Sequence, residues 1–138
     1  MSESSVLTAL LAAEHAAVYG YGVLGAHLDD HRRVAALSAY DAHRALRDSL
    51  LARLTARSLP TPAPALAYAL PAGSPAQQAI ALEDGMCVLW RDLVASTDST
   101  DLRGLAVRAL SDASVRAVRW RQAAGLHPVT VPLPGTVS

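Results

Sequence analysis

A proline-rich yet apolar segment, residues 59–73, separates two long helical patterns in this chain. Its four prolines exclude a helix, because proline lacks a backbone N–H and clashes with the preceding turn. The segment also contains Leu66, Tyr68 and Leu70, so we expect it to pack on the protein. Such a segment can span roughly 50 Å when extended, whereas a helix of twenty-odd residues is roughly 33 Å long. It can therefore travel the whole length of a helical bundle.

Apolar residues recur at steps of three and four in four segments, which predicts four helices. The predicted ranges are about 6–27, 31–57, 75–96 and 101–124. Short turns join the first helix to the second and the third to the fourth, so each pair should be antiparallel. If the long connection crosses the bundle, helices two and three run parallel. The sequence therefore predicts a single all-α domain over residues 1–138, a four-helix bundle with one long crossover between helices two and three.

The chain after the fourth helix should be extended. Gly125 is a typical helix stop, and Pro128 follows it. The tail, residues 126–138, contains two further prolines and several apolar residues. We expect it either to pack on its own bundle or to reach a partner.

Three of the predicted helices carry an ionisable residue in the middle of an apolar stripe. These residues are Glu14, His43 and Glu83. Glu14 and His43 lie at similar distances from the first turn, and Glu83 can reach the same depth, so we expect one shared polar layer. Arg47 lies on the predicted core face of helix two with His43, between leucines that include Leu37 and Leu51. Buried polar groups are costly without partners, so these side chains should contact one another.

Several short motifs follow one another along nearly the whole chain. They are Glu14-His15, the run from His43-Arg44 to Arg47-Asp48, Tyr68-Ala-Leu-Pro71, Leu82-Glu83-Asp84-Gly85, Trp90, and Trp120-Arg121 before Gly125-Leu-His-Pro128. In order and spacing they resemble a small ferritin-like domain of unknown function that is common in actinobacteria. The resemblance implies a ferritin-like four-helix bundle with one long crossover. It implies no established activity.

Ferritin-like di-iron proteins hold their metals with one glutamate on each of two helices and a Glu-x-x-His pair on each of the other two. Three of these six ligand positions are matched here, by Glu14, His43 and Glu83. Tyr40 stands where the pattern has a bridging glutamate. On helix four, Asp112 and Val115 stand where glutamate and histidine are needed. The resemblance therefore implies a degenerate metal centre.

Two classes of function remain open. The first is a non-catalytic module in which Tyr40, Arg47 and Asp112 join the three central residues in a buried polar network. Arginine favours this class, since a guanidinium can neutralise the carboxylates that a metal would need. The second is a metal-dependent oxidoreductase or metal-storage protein. It would hold a single iron, manganese or zinc ion on Glu14, His43 and Glu83.

Charge and hydropathy narrow the partners and the location. Twelve arginines balance twelve acidic residues, so no basic surplus is present to bind nucleic acid or anionic lipid. No positively charged stretch precedes an apolar one near residue 1, and no apolar run approaches the roughly 20 residues of a membrane span. We therefore expect a cytoplasmic protein that binds neither nucleic acid nor a membrane. The single cysteine, Cys87, excludes an internal disulfide.

Apolar residues away from the main stripes predict a homodimer, because one bundle has a single interior. They are Val23, Leu24, Leu46, Leu82, Leu89, Val107 and Val118 on the helices, and Val129, Val131 and Leu133 in the tail. The alternative is that the long connection and the tail cover these residues within one chain.

Overall fold

The computed structural model describes residues 1–136, and that part of the chain contains four α-helices and no strand. The helices are α1 (Glu3–Gly25), α2 (Asp30–Ala56), α3 (Pro75–Ser96) and α4 (Thr100–Ala124). The prediction of an all-α four-helix fold is confirmed. The start of α3 shows why sequence locates a helix end well: Ser74 and Gln77 form a reciprocal capping box around Pro75.

Contacts at the two ends of the bundle give the helix directions. At one end, Arg57 after α2 and Thr97 after α3 both bond to the carboxylate of Glu3 at the start of α1. At the other end, Arg32 near the start of α2 donates to the carbonyl oxygen of Ala123 near the end of α4. Consequently α2 and α3 run in one direction, and α1 and α4 run in the other.

The connection between α2 and α3 therefore joins opposite ends of the bundle, and it lies along α1. The Nε2 atom of His15 is 3.1 Å from the carbonyl oxygen of Pro62. Further along, the rings of Tyr19 and Tyr68 have centroids 5.6 Å apart. Tyr68 and Leu70 are partly buried, whereas Leu66 is fully exposed.

The buried face of α2 differs from the predicted one. Leu37 and Leu51, which we assigned to the core, are 56% and 40% exposed. The buried residues are Ala36, Ala39, His43, Leu50 and Leu54. Alanines on this face let α2 approach α1 closely: the Cβ of Ala36 is 3.3 Å from where a Cβ would stand on Gly25. The rotation keeps His43 in the core and moves two leucines to the outer surface.

Most of the off-stripe apolar residues that predicted a dimer are covered within the chain. Leu24 is fully buried, and the others on the helices are partly buried except Val107. In the tail, Val131 and Leu133 remain exposed. Larger exposed apolar side chains lie on α2, at Val34, Leu37 and Leu51.

Helix α1 is long and apolar enough to cross a membrane by length and composition, with a mean hydropathy of 1.2 over its best window. The sequence prediction that no segment approaches a membrane span was therefore too strong. Half of that window is buried inside the bundle. Glu14 and His15 are also buried on this helix. Helix α1 is therefore part of the core of the bundle.

The tail folds back onto its own bundle. Gly125 adopts a left-handed conformation, with φ of 68°, and ends α4. Gly135 also has positive φ and is buried against α3, where an added Cβ would lie 2.5 Å from the carbonyl oxygen of Cys87. Only glycine permits this approach. Residues 137 and 138 of the predicted tail lie outside the described residues.

Candidate functional site

Three helices each contribute one of the predicted residues to the centre of the bundle. His43 Nδ1 lies 2.7 Å from Glu14 Oε2, and His43 Nε2 lies 3.0 Å from Glu83 Oε1. All three side chains are completely buried. An imidazole can donate from both nitrogens only when it is protonated. The geometry is therefore that of an imidazolium held between two carboxylates.

The arginine in this layer is Arg116 from α4, and the prediction of Arg47 was wrong. Arg116 Nε donates to Glu83 Oε1 at 2.8 Å, and its side chain is only 17% exposed. Sequence reasoning missed it, although a signal was present. Arg116 follows buried Ala113 by three residues and precedes buried Trp120 by four, so it shares their helix face.

The other residues assigned to the network lie outside it. Arg47 pairs with its neighbour Asp48 at 2.8 Å. Tyr40 is partly buried, beneath the guanidinium of Arg44 at 5.5 Å from the ring centroid. Asp112 is exposed. The rotation of α2 explains why Arg47 and Tyr40 lie outside the network, since it turns both side chains away from the centre of the bundle.

Two aromatic residues complete the layer through their polar atoms. Tyr21 donates from its hydroxyl to Glu83 Oε1 at 2.6 Å, and Trp120 Nε1 donates to the Tyr21 oxygen at 3.1 Å. The Tyr21 ring also stacks on His43, with centroids 5.4 Å apart. Buried tyrosine and tryptophan usually need such partners. Sequence reasoning did not find this role.

Burial and charge act in opposite directions on the central groups. Burial by itself lowers the pKa of an imidazole, but hydrogen bonds to both carboxylates outweigh it and raise the pKa of His43 to about 9. Burial raises the pKa of the Glu14 carboxyl above its ordinary value. Burial acts the same way on Glu83, but His43 and Arg116 together hold its pKa below the ordinary value. With both carboxylates ionised and His43 protonated, the two negative charges of Glu14 and Glu83 are balanced by the positive charges of His43 and Arg116.

The layer leaves three polar atoms without a hydrogen-bond partner among the described residues. They are Glu14 Oε1, Glu83 Oε2 and Arg116 Nη2. A buried polar atom without a hydrogen bond lowers the stability of the fold, and a buried water molecule commonly provides the missing bond. Chemically, the layer can store charge and hold protons. It offers no activated thiol, because burial raises the pKa of nearby Cys87.

The fold and the site define this protein as an all-α four-helix bundle with a buried ionic centre. Comparison with known proteins gives its family. The chain belongs to the family described as a domain of unknown function, DUF4439, whose model matches residues 6–138. It is similar to the crystal structure of a conserved hypothetical protein, rv2844, from Mycobacterium tuberculosis. The two chains are 32% identical, with a TM-score of 0.82 and 96% of each chain covered. No curated protein matches this chain. Membership of a family of unknown function is therefore confirmed.

Replacing Arg116 by glutamine should lower the free energy of unfolding by about 3 kcal/mol, because it leaves the buried Glu83 carboxylate without its cation. The matched control is Arg47→Gln, which removes a pair with a neighbouring exposed aspartate and should cost less than about 0.5 kcal/mol. Urea denaturation measures both. Equal losses in the two variants would contradict the assignment of Arg116.

Stability should fall as pH rises from about 6.5 to about 9. The raised pKa of His43 means that the folded state keeps a proton that the unfolded state has lost in this range. The protonated His43 stabilises the fold fully at pH values below the pKa of histidine in the unfolded chain. This stabilisation, on the order of 3 kcal/mol in total, is lost as the pH rises through the pKa of His43 in the folded protein. Denaturation across this range measures it. His43→Gln should flatten the profile, whereas His27→Gln, at an exposed histidine, should leave it unchanged.

Proposed function

We propose that this chain is a non-catalytic ferritin-like module. An internal ion network stands where other ferritin-like proteins bind metal. Two features support the ferritin-like assignment: parallel α2 and α3, and the connection along α1 that joins their opposite ends. The observation that carries the proposal is that both nitrogens of His43 face carboxylates while Arg116 binds Glu83. The positive charge that a metal would supply comes from two side chains.

The donor set does not fit a metal centre. A histidine ligand uses one nitrogen for the metal and commonly donates from the other, whereas both His43 nitrogens already lie within hydrogen-bond distance of an acid. Glu83 Oε1 accepts from Tyr21 and Arg116 as well. Among residues 1–136, no group of three histidine, cysteine or acidic side chains is arranged to hold a metal ion. One observation favours the alternative, a single ion on Glu14, His43 and Glu83: one oxygen of each glutamate has no partner.

The network gives the module a structural role. Each of the four helices contributes at least one member, so the layer fixes the register and rotation of all four at once. Misaligned helices would leave charges buried without partners, which costs several kcal/mol per charge. We propose that this layer selects one packing of the alanine-rich helices, whose small side chains define that packing weakly.

Elemental analysis and thermal denaturation test this function together. Protein purified from cells grown with added iron, manganese and zinc should contain less than one equivalent of any of them. Chelator should leave its melting temperature unchanged. The alternative predicts one equivalent that disappears in Glu83→Gln. It should persist in Asp112→Asn, which alters an exposed carboxylate on α4 and controls for metal bound at the surface.

We also propose that the module acts through association with a second copy of itself, across α2. Val34, Leu37 and Leu51 are 66%, 56% and 40% exposed along its outer surface. Arg44 and Asp48 lie among them, so two-fold pairing can place an arginine of one copy beside an aspartate of the other. The solvent-accessible surface area of the chain is 7399 Å², which is larger than the about 6,800 Å² expected for a folded monomer of its mass.

Light scattering at micromolar concentration should give a mass near twice 14.4 kDa. Leu37→Glu should reduce it to that of one chain, because the charge would be buried against the partner. Leu66→Glu is the control, at a fully exposed leucine in the connection. A single-chain mass for the unaltered protein would refute the dimer. We also propose a cytoplasmic location. Cell fractionation tests it.

A further inference from the structure

A groove of about 870 Å³ lies between α3, α4 and the folded-back tail. It is separate from the ionic centre, which is buried among the four helices. Its volume falls within the range of roughly 300–1,000 Å³ that is typical of small-molecule sites. Nothing in the network proposed above requires such a space, so the groove needs an explanation of its own.

Apolar side chains line opposite walls of the groove without filling it. Val88 from α3 and Val115 and Val118 from α4 form one wall, and Val131 and Pro134 from the tail form the other. Val115 and Val131 remain 48% and 43% exposed. Protein interiors are normally close-packed, because an unfilled apolar space forgoes contacts on both sides. An apolar chain lying in the groove would cover both walls.

The tail wall is preformed. Buried Gly135 packs against the carbonyl oxygen of Cys87, and because both residues line the groove this contact joins the tail wall to α3. The helices and the anchored tail therefore set the shape of the groove. A preformed site loses less conformational entropy on binding than one that must order a loop.

The charged groups at the groove favour an anion. Arg121 pairs with Asp84, so these two charges balance each other. Arg119 also lines the groove, and it forms no ion pair with any residue between 1 and 136. Among residues 1–136, the groove therefore has one positive charge in excess beside its apolar walls. Gln122 and Thr130 add uncharged hydrogen-bonding groups.

We propose that this groove binds a free amphipathic carboxylate with a single apolar chain, of the fatty-acid class. The chain lies between the valines of α4 and the tail, and the carboxylate lies at Arg119. The groove is separate from the ionic centre and from the proposed dimer surface on α2. A negative result for ligand binding would therefore leave the proposed role of the ionic centre and the proposed dimer unaffected.

Calorimetric titration of the full chain with dodecanoate, below its micelle-forming concentration, tests the class of ligand. Saturable binding of one molecule per chain is expected. Dodecanol and dodecyltrimethylammonium, which share the chain but not the charge, should bind at least about threefold more weakly. From octanoate to dodecanoate, affinity should rise by about two- to fourfold per methylene, as expected for a buried apolar chain. Equal affinity for the three head groups, or no gain with chain length, would overturn the proposal.

Paired variants test the location. Val131→Asp should weaken dodecanoate binding at least about tenfold, because it places a negative charge in the apolar wall. Val107→Asp makes the same change at a similarly exposed valine of α4 outside the groove and should have no effect. Arg119→Gln should weaken binding about threefold or more, whereas Arg108→Gln on the same helix should not. Loss of binding in all four variants, or in none, would show that the groove is not the site.

Discussion

The structure depends on one interaction, the bridge that His43 makes between two carboxylates. Glu14 and Glu83 are completely buried, and a buried carboxylate is tolerated only with a cation and hydrogen bonds beside it. His43 meets both requirements only if α1, α2 and α3 hold it at the same depth. The position of one imidazole thereby constrains three helices. The connection along α1 must be long enough to join the end of α2 to the start of α3 at the opposite end of the bundle.

Arg116 completes the charge balance and brings in the fourth helix. His43 alone would leave two negative charges against one positive charge. The guanidinium on Glu83 restores neutrality, and it explains why the pKa of Glu83 is lowered while that of Glu14 is raised. The acid with two cations beside it is the one stabilised in its ionised form. Tyr21 and Trp120 extend the same network towards one end of the bundle.

The outer surfaces follow from how the core is packed. Alanines on the buried face of α2 bring it close to α1, and this rotation moves larger apolar residues such as Leu37 to the outside. The tail is fixed by a glycine contact with α3 and leaves a space beside α4. Residues 1–136 therefore leave two surfaces of the bundle uncovered. One is a helix face, and the other is a groove.

The sequence by itself determined the helices, their order and the three central residues. These follow from local signals: apolar periodicity, prolines and caps, and connection lengths that limit how helices can run. Only the tertiary structure decided the rotation of α2 and the choice of Arg116 over Arg47. Helix two carries two overlapping apolar stripes: one begins with Ala36 and Ala39 and continues through Leu50 and Leu54, and the other contains Leu37 and Leu51. In the first half of the helix, hydrophobicity favours Leu37 over these alanines. Close approach to α1 favours the alanines instead, because small side chains let two helices pack where leucines would hold them apart.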